Sequence, residues 1–202
     1  MFSEIFKLKE LSAKLGNDLS LIQASGGNTS IKLDGKLWVK ASGKKLKNAL
    51  NEDIFVSLDL IKIRNELAIN KSKKELNFKN ICGSSLRASI ETSLHAIMPY
   101  KVVLHTHSVD TIAITLISNS HNYLNKLMKD INWKFIPYFK PGITLAKAIS
   151  KGFQDNPNPA NVLVLANHGL VVGEETIEKA EALHKEIISR LKQKPRRQIT
   201  PN

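Results

Sequence analysis

The 202-residue sequence contains only one cysteine, Cys82, and only five arginines. A single cysteine excludes an internal disulfide framework and a zinc site built from several cysteines. The sequence also lacks an uninterrupted apolar run of about 18 residues, so we expect no membrane span. Its first residues lack the basic-then-apolar order of a secretory signal, and we therefore expect a cytoplasmic protein.

The formal net charge is +12, which raises the question of an anionic partner. Lysine supplies 25 of the 30 basic residues and is scattered along the chain, whereas base readout and bidentate phosphate contacts favour arginine. No helix-turn-helix, zinc-finger or RNA-binding signature is present. We therefore expect no nucleic-acid partner. The charge is interpreted as a lysine-rich surface plus a basic tail, with a functional share only for Lys44 and Lys45.

Apolar periodicity predicts helices and strands without strict βαβ alternation. Helices are predicted over 3–16 (capped by Ser3), 57–67, from 84 or 85 to 98, 108–117, 121–130, 144–153 and 175–192. Strands are predicted over 29–33, 37–41, 101–107, 161–166 and 170–172, and a surface loop over 70–80. This pattern indicates one α/β domain over 1–191, with a mostly antiparallel sheet covered by helices and a basic tail over 192–202.

Two histidines flank Thr106 within a predicted strand. Side chains two residues apart point to one face of a strand, so His105 and His107 could bind one metal ion. His168 ends another predicted strand, and three histidines with an open coordination position are typical of a catalytic zinc site. Glu91, one helix earlier, could ligate the metal or act as an acid/base beside it. Paired histidines in a strand often have structural roles, so this spacing alone leaves metal binding open.

The other histidines are weaker candidates. His95 lies four residues after Glu91, so it either supports the metal site from behind or forms a simple pair on the helix surface. His121 and His184 are predicted on exposed helix faces, with no role in function.

Two turns contain glycine together with polar side chains, at 25–30 and at 41–45. Glycine lets the backbone approach an anion closely, and Asn, Ser and free N–H groups supply hydrogen bonds. The P-loop and dinucleotide patterns are both absent. Because each turn alone is more often an ordinary loop, an anion site here is a hypothesis.

Five separated motifs change this assessment when they are taken together. They are Gly-Gly-Asn-Thr-Ser at 26–30, Lys-Ala-Ser-Gly at 40–43, Ser-Ile-Glu-Thr-Ser-Leu-His at 89–95, His-Thr-His at 105–107 and Asn-His-Gly-Leu at 167–170. In this order they resemble the class II aldolase/adducin family, from about Leu11 to Leu191. Gly-Gly-Asn-Thr-Ser-Ile-Lys with Leu-Trp-Val-Lys is similar to the aldolase portion of bifunctional rhamnulose-phosphate aldolase/dehydrogenase-type proteins.

The resemblance implies a three-layer α/β/α fold, a zinc or similar divalent ion, and a homotetramer with sites near subunit interfaces. It implies that His105, His107 and His168 are the metal ligands and that Glu91 is the catalytic acid/base. The substrate phosphate would be bound by Asn28, Ser42, Gly43 and Ser89.

Two features of the family pattern need comment. The family often has two consecutive serines before the glutamate, whereas Ser89 is followed here by Ile90, which removes one hydroxyl from the phosphate pattern. A tyrosine from a neighbouring subunit often assists aldol cleavage, and Tyr123 and Tyr138 are the candidates.

The implied activity is that of a metal-dependent lyase acting on a phosphorylated sugar, a ketose 1-phosphate similar to fuculose or rhamnulose phosphate. Retro-aldol cleavage would pass through a metal-stabilised enediolate, with Glu91 protonating the resulting carbanion. One alternative is a pentulose-phosphate 4-epimerase or a sugar-phosphate dehydratase. An alternative of another class is a non-catalytic, adducin-like interaction domain, which the three histidines and the glutamate disfavour because an interaction surface does not need them.

Overall fold

The computed structural model describes residues 2–69, 85–153 and 156–194, and seven helices and seven strands lie in those ranges. The helices are α1 Phe2–Gly16, α2 Leu60–Ile69, α3 Thr92–Ile97, α4 Val109–Thr115, α5 Ser120–Leu127, α6 Ile143–Lys151 and α7 Ile177–Leu191. The strands are β1 Asn28–Leu33, β2 Lys36–Lys40, β3 Phe55–Asp59, β4 Val102–Thr106, β5 Trp133–Ile136, β6 Val162–Leu165 and β7 Gly169–Glu174. None of these helices is long and apolar enough to cross a membrane.

The strands form one sheet in the order β3-β2-β1-β4-β7-β6-β5. Every neighbouring pair is antiparallel except β5 with β6. Strands β1 and β2 form a hairpin whose turn residues, Asp34 and Gly35, both have positive φ. The mostly antiparallel sheet expected from the sequence is therefore confirmed.

Helices cover both faces of the sheet, because side chains alternate between the faces along each strand. In β4, Val102 and Leu104 pack with α1 and the start of α7, whereas Val103 packs with α3 and α6 on the other face. Helices α4 and α5 join α7 on the first face, and α2 joins α3 on the second. This arrangement confirms the predicted three-layer α/β/α fold.

Two predicted helices are shorter than expected. The helix predicted from 84 or 85 begins only at Thr92, because Ala88 pairs with Ala41 in an isolated antiparallel bridge and the chain there is extended. Ile90, whose spacing from Leu86 and Leu94 would place it on the apolar face of such a helix, is 48% exposed. The first residues of the helix predicted over 57–67 belong instead to β3, which pairs with β2 at the edge of the sheet.

Smaller differences concern the ends of elements. Helix α1 already includes Phe2, so Ser3 lies inside it rather than at its cap. Ser108 does cap α4, since its hydroxyl accepts a hydrogen bond from the Thr111 N–H. Strand β5 was not predicted at all. The predicted loop 70–80, Cys82 and most of the basic tail lie outside the described residues.

Candidate metal and catalytic site

The histidine pair lies at the C-terminal end of β4, which is the central strand of the sheet and lies between β1 and β7. His105 pairs with Asn28 of β1 and with Val171 of β7. It shares a face with Val103, toward α3 and α6, and is completely buried. His107 follows the end of the strand and is half-buried. The predicted strand thus places both imidazoles at one end of the sheet.

His168 reaches the same place from the turn between β6 and β7. The turn needs unusual backbone angles: Asn167 has φ +55° and Gly169 has φ +148°. A Cβ atom at Gly169 would lie only 2.2 Å from the Thr106 carbonyl oxygen, so only glycine lets the turn lie against the end of β4. The three imidazole rings consequently cluster, with centroids 4.8 to 5.2 Å apart.

The first glycine-containing turn packs directly against this histidine strand. A Cβ atom on Gly26 would lie 2.7 Å from Nδ1 of His107, and one on Gly27 would lie 3.0 Å from the His105 carbonyl oxygen and closer still to Ile22. Gly27 also has φ +66°. The close approach that these glycines permit is therefore an approach to the histidines.

Glu91 lies inside the histidine cluster although it comes from the turn before α3. Its Oε1 atom is 3.1 Å from Nε2 of His105 and 3.0 Å from Nε2 of His168. Its Oε2 atom accepts a 2.6 Å hydrogen bond from the amide of Asn28. The same amide is 3.3 Å from the Ser89 hydroxyl, which also accepts from the Glu91 N–H. The carboxylate is thus held on one side by β1 and faces imidazoles on the other.

These contacts couple the titration of the buried groups. Burial acts to raise the pKa of Glu91, but the His105 and His168 side chains outweigh it and hold that pKa well below its ordinary value. For His105, burial acts to lower the pKa, but the Glu91 carboxylate raises it overall. Burial and the neighbouring His105 lower the pKa of His107 to about 4. An ionised carboxylate therefore faces this group of imidazoles.

The donor set fits a divalent cation. Nδ1 of His105 lies 3.0 Å from the Leu170 carbonyl oxygen and can only donate to it, so in the neutral imidazole the Nε2 atom carries the lone pair. Nε2 of His105, Nε2 of His107 and Nδ1 of His168 are buried without a hydrogen-bond partner. The potential ligand atoms of these three histidines and of Glu91 all lie within 4.8 Å of one another. Three imidazoles and one carboxylate are a combination that zinc and similar ions prefer.

The second glycine-containing turn, at 41–45, packs against residues 87 and 88, which lead along the chain to Ser89 and Glu91. The Ser42 N–H donates to the Arg87 carbonyl oxygen, and Gly43 is exposed with φ +75°. Lys44 forms an ion pair with Glu52 at 3.0 Å, so part of the charge expected to serve an anion is already neutralised. The predicted phosphate residues Asn28, Ser42, Gly43 and Ser89 thus lie along the segment that leads from this turn to Glu91. Their role in binding a phosphate group stays a prediction.

Lys40 is a site residue that sequence reasoning missed. It is 2% exposed, and its ammonium donates to the carbonyl oxygens of Ser25, Ala41 and Lys44. It therefore ties the two glycine-containing turns together. Burial lowers its pKa to about 8. The lysine before the Ala-Ser-Gly motif was visible in the sequence, but nothing in its spacing indicated burial.

Two further histidines, His184 and His95, are buried. His184 was predicted on an exposed face, which is wrong: it is 1% exposed, and its Nε2 atom shares a 3.0 Å hydrogen bond with the Thr106 hydroxyl. His95 is also completely buried, so a helix-surface pair with Glu91 is excluded. Its Nδ1 atom is hydrogen-bonded to Ser30 at 2.7 Å, two residues along β1 from Asn28.

Both tyrosine candidates have exposed side chains. Tyr138 is 60% exposed and Tyr123 is 36% exposed. The expectation that one of them serves a neighbouring subunit's site stays a prediction.

Two curated proteins illustrate the similarity at the level of sequence. The chain is 34% identical over 178 residues to "Uncharacterized oxidoreductase YuxG" of Bacillus subtilis (strain 168), covering 81% of this chain and 25% of that protein. It therefore spans only a quarter of the length of that relative. It is 25% identical over 170 residues to "Probable methylthioribulose-1-phosphate dehydratase" of Dictyostelium discoideum, covering 75% of this chain and 69% of that protein.

Solved structures share the fold. The N-terminal class II aldolase domain of a conserved protein from Thermoplasma acidophilum matches with a TM-score of 0.80 and 29% identity, over 95% of this chain and 93% of that one. L-fuculose-1-phosphate aldolase from Thermus thermophilus matches with a TM-score of 0.63 and 14% identity, over 95% and 92% of the chains, which shows a common fold. The family model "Class II Aldolase and Adducin N-terminal domain" matches residues 7–192. The chain therefore belongs to the class II aldolase and adducin family, as the order of its motifs predicted.

Proposed function

We propose that the protein is a metal-dependent lyase that cleaves a ketose 1-phosphate by a retro-aldol reaction. The carrying observation is the buried cluster of three imidazoles with unpartnered ring nitrogens around a carboxylate that Asn28 holds in place. An interaction domain has no use for such a cluster, because buried polar atoms without partners destabilise a fold. The family also contains such aldolases, as the Thermus thermophilus structure illustrates for the fold.

His105, His107 and His168 would hold the divalent ion, and zinc suits a set of three imidazoles. When bound, the ion would act as a Lewis acid that stabilises the negative charge of the enediolate. The histidines themselves are fixed for this task by the Leu170 carbonyl and by the glycine turn against His107.

Glu91 would move the proton at carbon 3 of the sugar. When the bond between carbons 3 and 4 breaks, its electron pair stays with carbon 3, and carbon 4 becomes an aldehyde as its hydroxyl group loses a proton. That proton would reach the Glu91 carboxylate through solvent, and the resulting carboxyl group would deliver a proton to carbon 3, which leaves Glu91 ionised again. In the reverse direction the Glu91 carboxylate removes that proton from dihydroxyacetone phosphate. Its pKa, held well below the ordinary value, keeps it ionised and ready to accept.

The turn carrying Ser42 and Gly43 would bind the phosphate group. Ser42 contacts Arg87, and Ser89, two residues further along the chain, contacts Asn28 beside Glu91. A phosphate group bound at Ser42 and Gly43 would therefore place the reacting carbons of the substrate at the cluster. The oligomer expected from the resemblance would complete the site with a tyrosine from a neighbouring copy.

The direct test uses zinc-loaded protein and a panel of ketose 1-phosphates, with detection of dihydroxyacetone phosphate and the aldehyde. Release of both products in equal amounts is expected. Proton exchange provides a simpler companion test, because the protein should exchange one hydroxymethyl hydrogen of dihydroxyacetone phosphate in D2O. Glu91→Gln should lose this exchange by about a hundredfold or more while it retains zinc. Unchanged exchange in that variant would remove the proton-transfer role of Glu91.

A dehydratase acting on a related sugar phosphate is the second candidate, and the similarity to the Dictyostelium discoideum protein favours it. A dehydratase releases water and keeps the carbon chain intact. Product analysis on the same panel, with methylthioribulose 1-phosphate included, therefore distinguishes the two reactions. An epimerase would instead return an isomer of the substrate, with neither cleavage nor loss of water.

A further inference from the structure

Arg87 lies next to the second glycine-containing turn, where one hydrogen bond to a described residue engages its guanidinium. It is exposed, and its Nη2 atom donates a 3.3 Å hydrogen bond to the hydroxyl of Ser42. Within the described part of the chain, no carboxylate forms an ion pair with this guanidinium. Arg190, in contrast, is paired with both Asp130 and Glu186. A guanidinium has five N–H donors, so Arg87 can bind a further acceptor without breaking an existing ion pair.

The backbone fixes this arginine relative to the turn. The Arg87 carbonyl oxygen accepts a 2.9 Å hydrogen bond from the Ser42 N–H, and the next residue, Ala88, pairs with Ala41. The Gly43 N–H donates to no group in the described ranges. The guanidinium, the Ser42 hydroxyl and the Gly43 N–H therefore offer donors around one exposed turn.

The neighbouring cations cannot easily take this role. Lys44 is paired with Glu52 at 3.0 Å. The ammonium of Lys40 is directed at three carbonyl oxygens beneath the turns. Ile90 occupies the position where the resemblance leads us to expect a hydroxyl, and its exposed apolar side chain offers no donor. Arg87 is thus placed to supply the hydrogen-bond donor that position 90 lacks.

The segment that carries Arg87 also leads to the reacting end of the site. Ser89, two residues further, is within hydrogen-bond distance of the Asn28 amide, which in turn holds Glu91. A substrate lying along this segment would have its anionic end at Arg87 and its reacting carbons at Glu91.

We propose that Arg87 binds the phosphate group of the substrate, together with Ser42 and Gly43, and so selects phosphorylated over unphosphorylated sugars. A planar guanidinium matches two oxygens of a phosphate monoester at once, which an ammonium cannot do. This inference rests on the proposed function, because it assigns the anionic end of the same substrate.

The experiment measures binding of dihydroxyacetone phosphate and of dihydroxyacetone to the zinc-loaded full chain by calorimetry. Arg87→Gln should weaken binding of the phosphate ester at least tenfold and leave dihydroxyacetone binding unchanged. Arg87→Lys should retain an intermediate affinity, since it keeps the charge without the fork. Lys47→Gln is the matched control, because it removes an exposed charge four residues after Gly43, and it should change the affinity less than about twofold.

The outcomes distinguish a failure of the role of Arg87 from a failure of the proposed function. If Arg87→Gln binds the phosphate ester as the wild type does, or loses no more affinity than Lys47→Gln, the role of Arg87 is overturned while the proposed function stands. If the unmodified protein itself binds the phosphate ester no better than dihydroxyacetone, the proposed phosphorylated substrate is overturned. Equal weakening of both ligands in Arg87→Gln would indicate a general disturbance of the site and would also overturn the inference.

Discussion

The amide of Asn28 donates a 2.6 Å hydrogen bond to Oε2 of Glu91, on the side of the carboxylate opposite to the histidines at Oε1. Both residues are at least nine-tenths buried. The carboxylate therefore cannot rotate freely, and its Oε1 edge stays directed at the imidazoles. Sequence reasoning gave Asn28 a phosphate-binding role, to which the structure adds the role of positioning Glu91.

Asn28→Ala should therefore impair proton transfer more than binding. Without its amide partner, the Glu91 carboxylate loses its fixed orientation, and proton exchange into dihydroxyacetone phosphate should slow at least about tenfold. Zinc content, measured by elemental analysis, should stay unchanged. Ser30→Ala is the matched control, because it removes a buried hydrogen bond from the same face of β1 and should leave exchange nearly intact. An equal loss in both variants would contradict the positioning role.

His105→Ala and His168→Ala should abolish zinc binding, because each removes one of three imidazole ligands. Elemental analysis after dialysis should find about one zinc per wild-type chain and almost none in either variant. His121→Ala, an exposed histidine far from the cluster in sequence, should bind zinc as the wild type does. Full zinc occupancy in both ligand variants would contradict the assignment.

Gly26→Ala should weaken zinc binding although Gly26 offers no ligand. Its Cβ atom would lie 2.7 Å from Nδ1 of His107, so the imidazole must move. Displacing a group that supports a ligand typically costs about ten- to a hundredfold in metal affinity. Competition with a chelator would measure this. Gly35→Ala is the control: its Cβ meets nothing within 4 Å, so strain from its φ of +72° should lower stability by about 1 kcal/mol and leave zinc affinity unchanged.

The convergence of the site could be predicted from the motif order, and the strands that carry it could be predicted from their Val and Leu content. Other elements could not. The spacing of Leu86, Ile90, Leu94 and Ile97 imitates a helical stripe, but the pairing of Ala88 with Ala41 keeps the start of that segment extended. Periodicity within one segment contains no information about such a distant partner. Strand β5 could not be predicted, because its four residues lie at the sheet edge and only Ile136 among them is buried.

The spacing of the residues along α7 does identify His184 as a buried residue. The buried face of α7 consists of Ile177, Ala180, His184, Ile187 and Leu191. These positions follow the alternating three- and four-residue spacing of a helix face, and the position between Ala180 and Ile187 is taken by His184 rather than by its apolar neighbour Leu183. Hydrophobicity alone favours Leu183 as the core residue, although the spacing favours His184. Its partner, the Thr106 hydroxyl, lies on a strand far away in sequence and could not be identified from α7 alone.

His184 should make the protein less stable in acid. Burial lowers its pKa from the ordinary 6.5 to about 4. Between these two pH values His184 is therefore neutral in the folded chain, whereas it is protonated in the unfolded chain. This contribution to stability is complete above pH 6.5 and is lost as the pH falls toward 4. The total loss is about 3 kcal/mol of unfolding free energy. Urea unfolding of metal-free protein between pH 7.5 and 4.5 would measure it.

His184→Gln should separate this effect from the rest of acid unfolding. Glutamine does not titrate and can still bond to the Thr106 hydroxyl, so the variant should be less stable than the wild type at pH 7.5 by about 1 kcal/mol through altered packing. Toward pH 4.5 the difference should shrink and then reverse, because only the wild type loses the His184 contribution. His121→Gln, at an exposed position, should follow the wild-type curve throughout. Parallel curves for the wild type and His184→Gln would show that a buried, neutral His184 does not limit stability in acid.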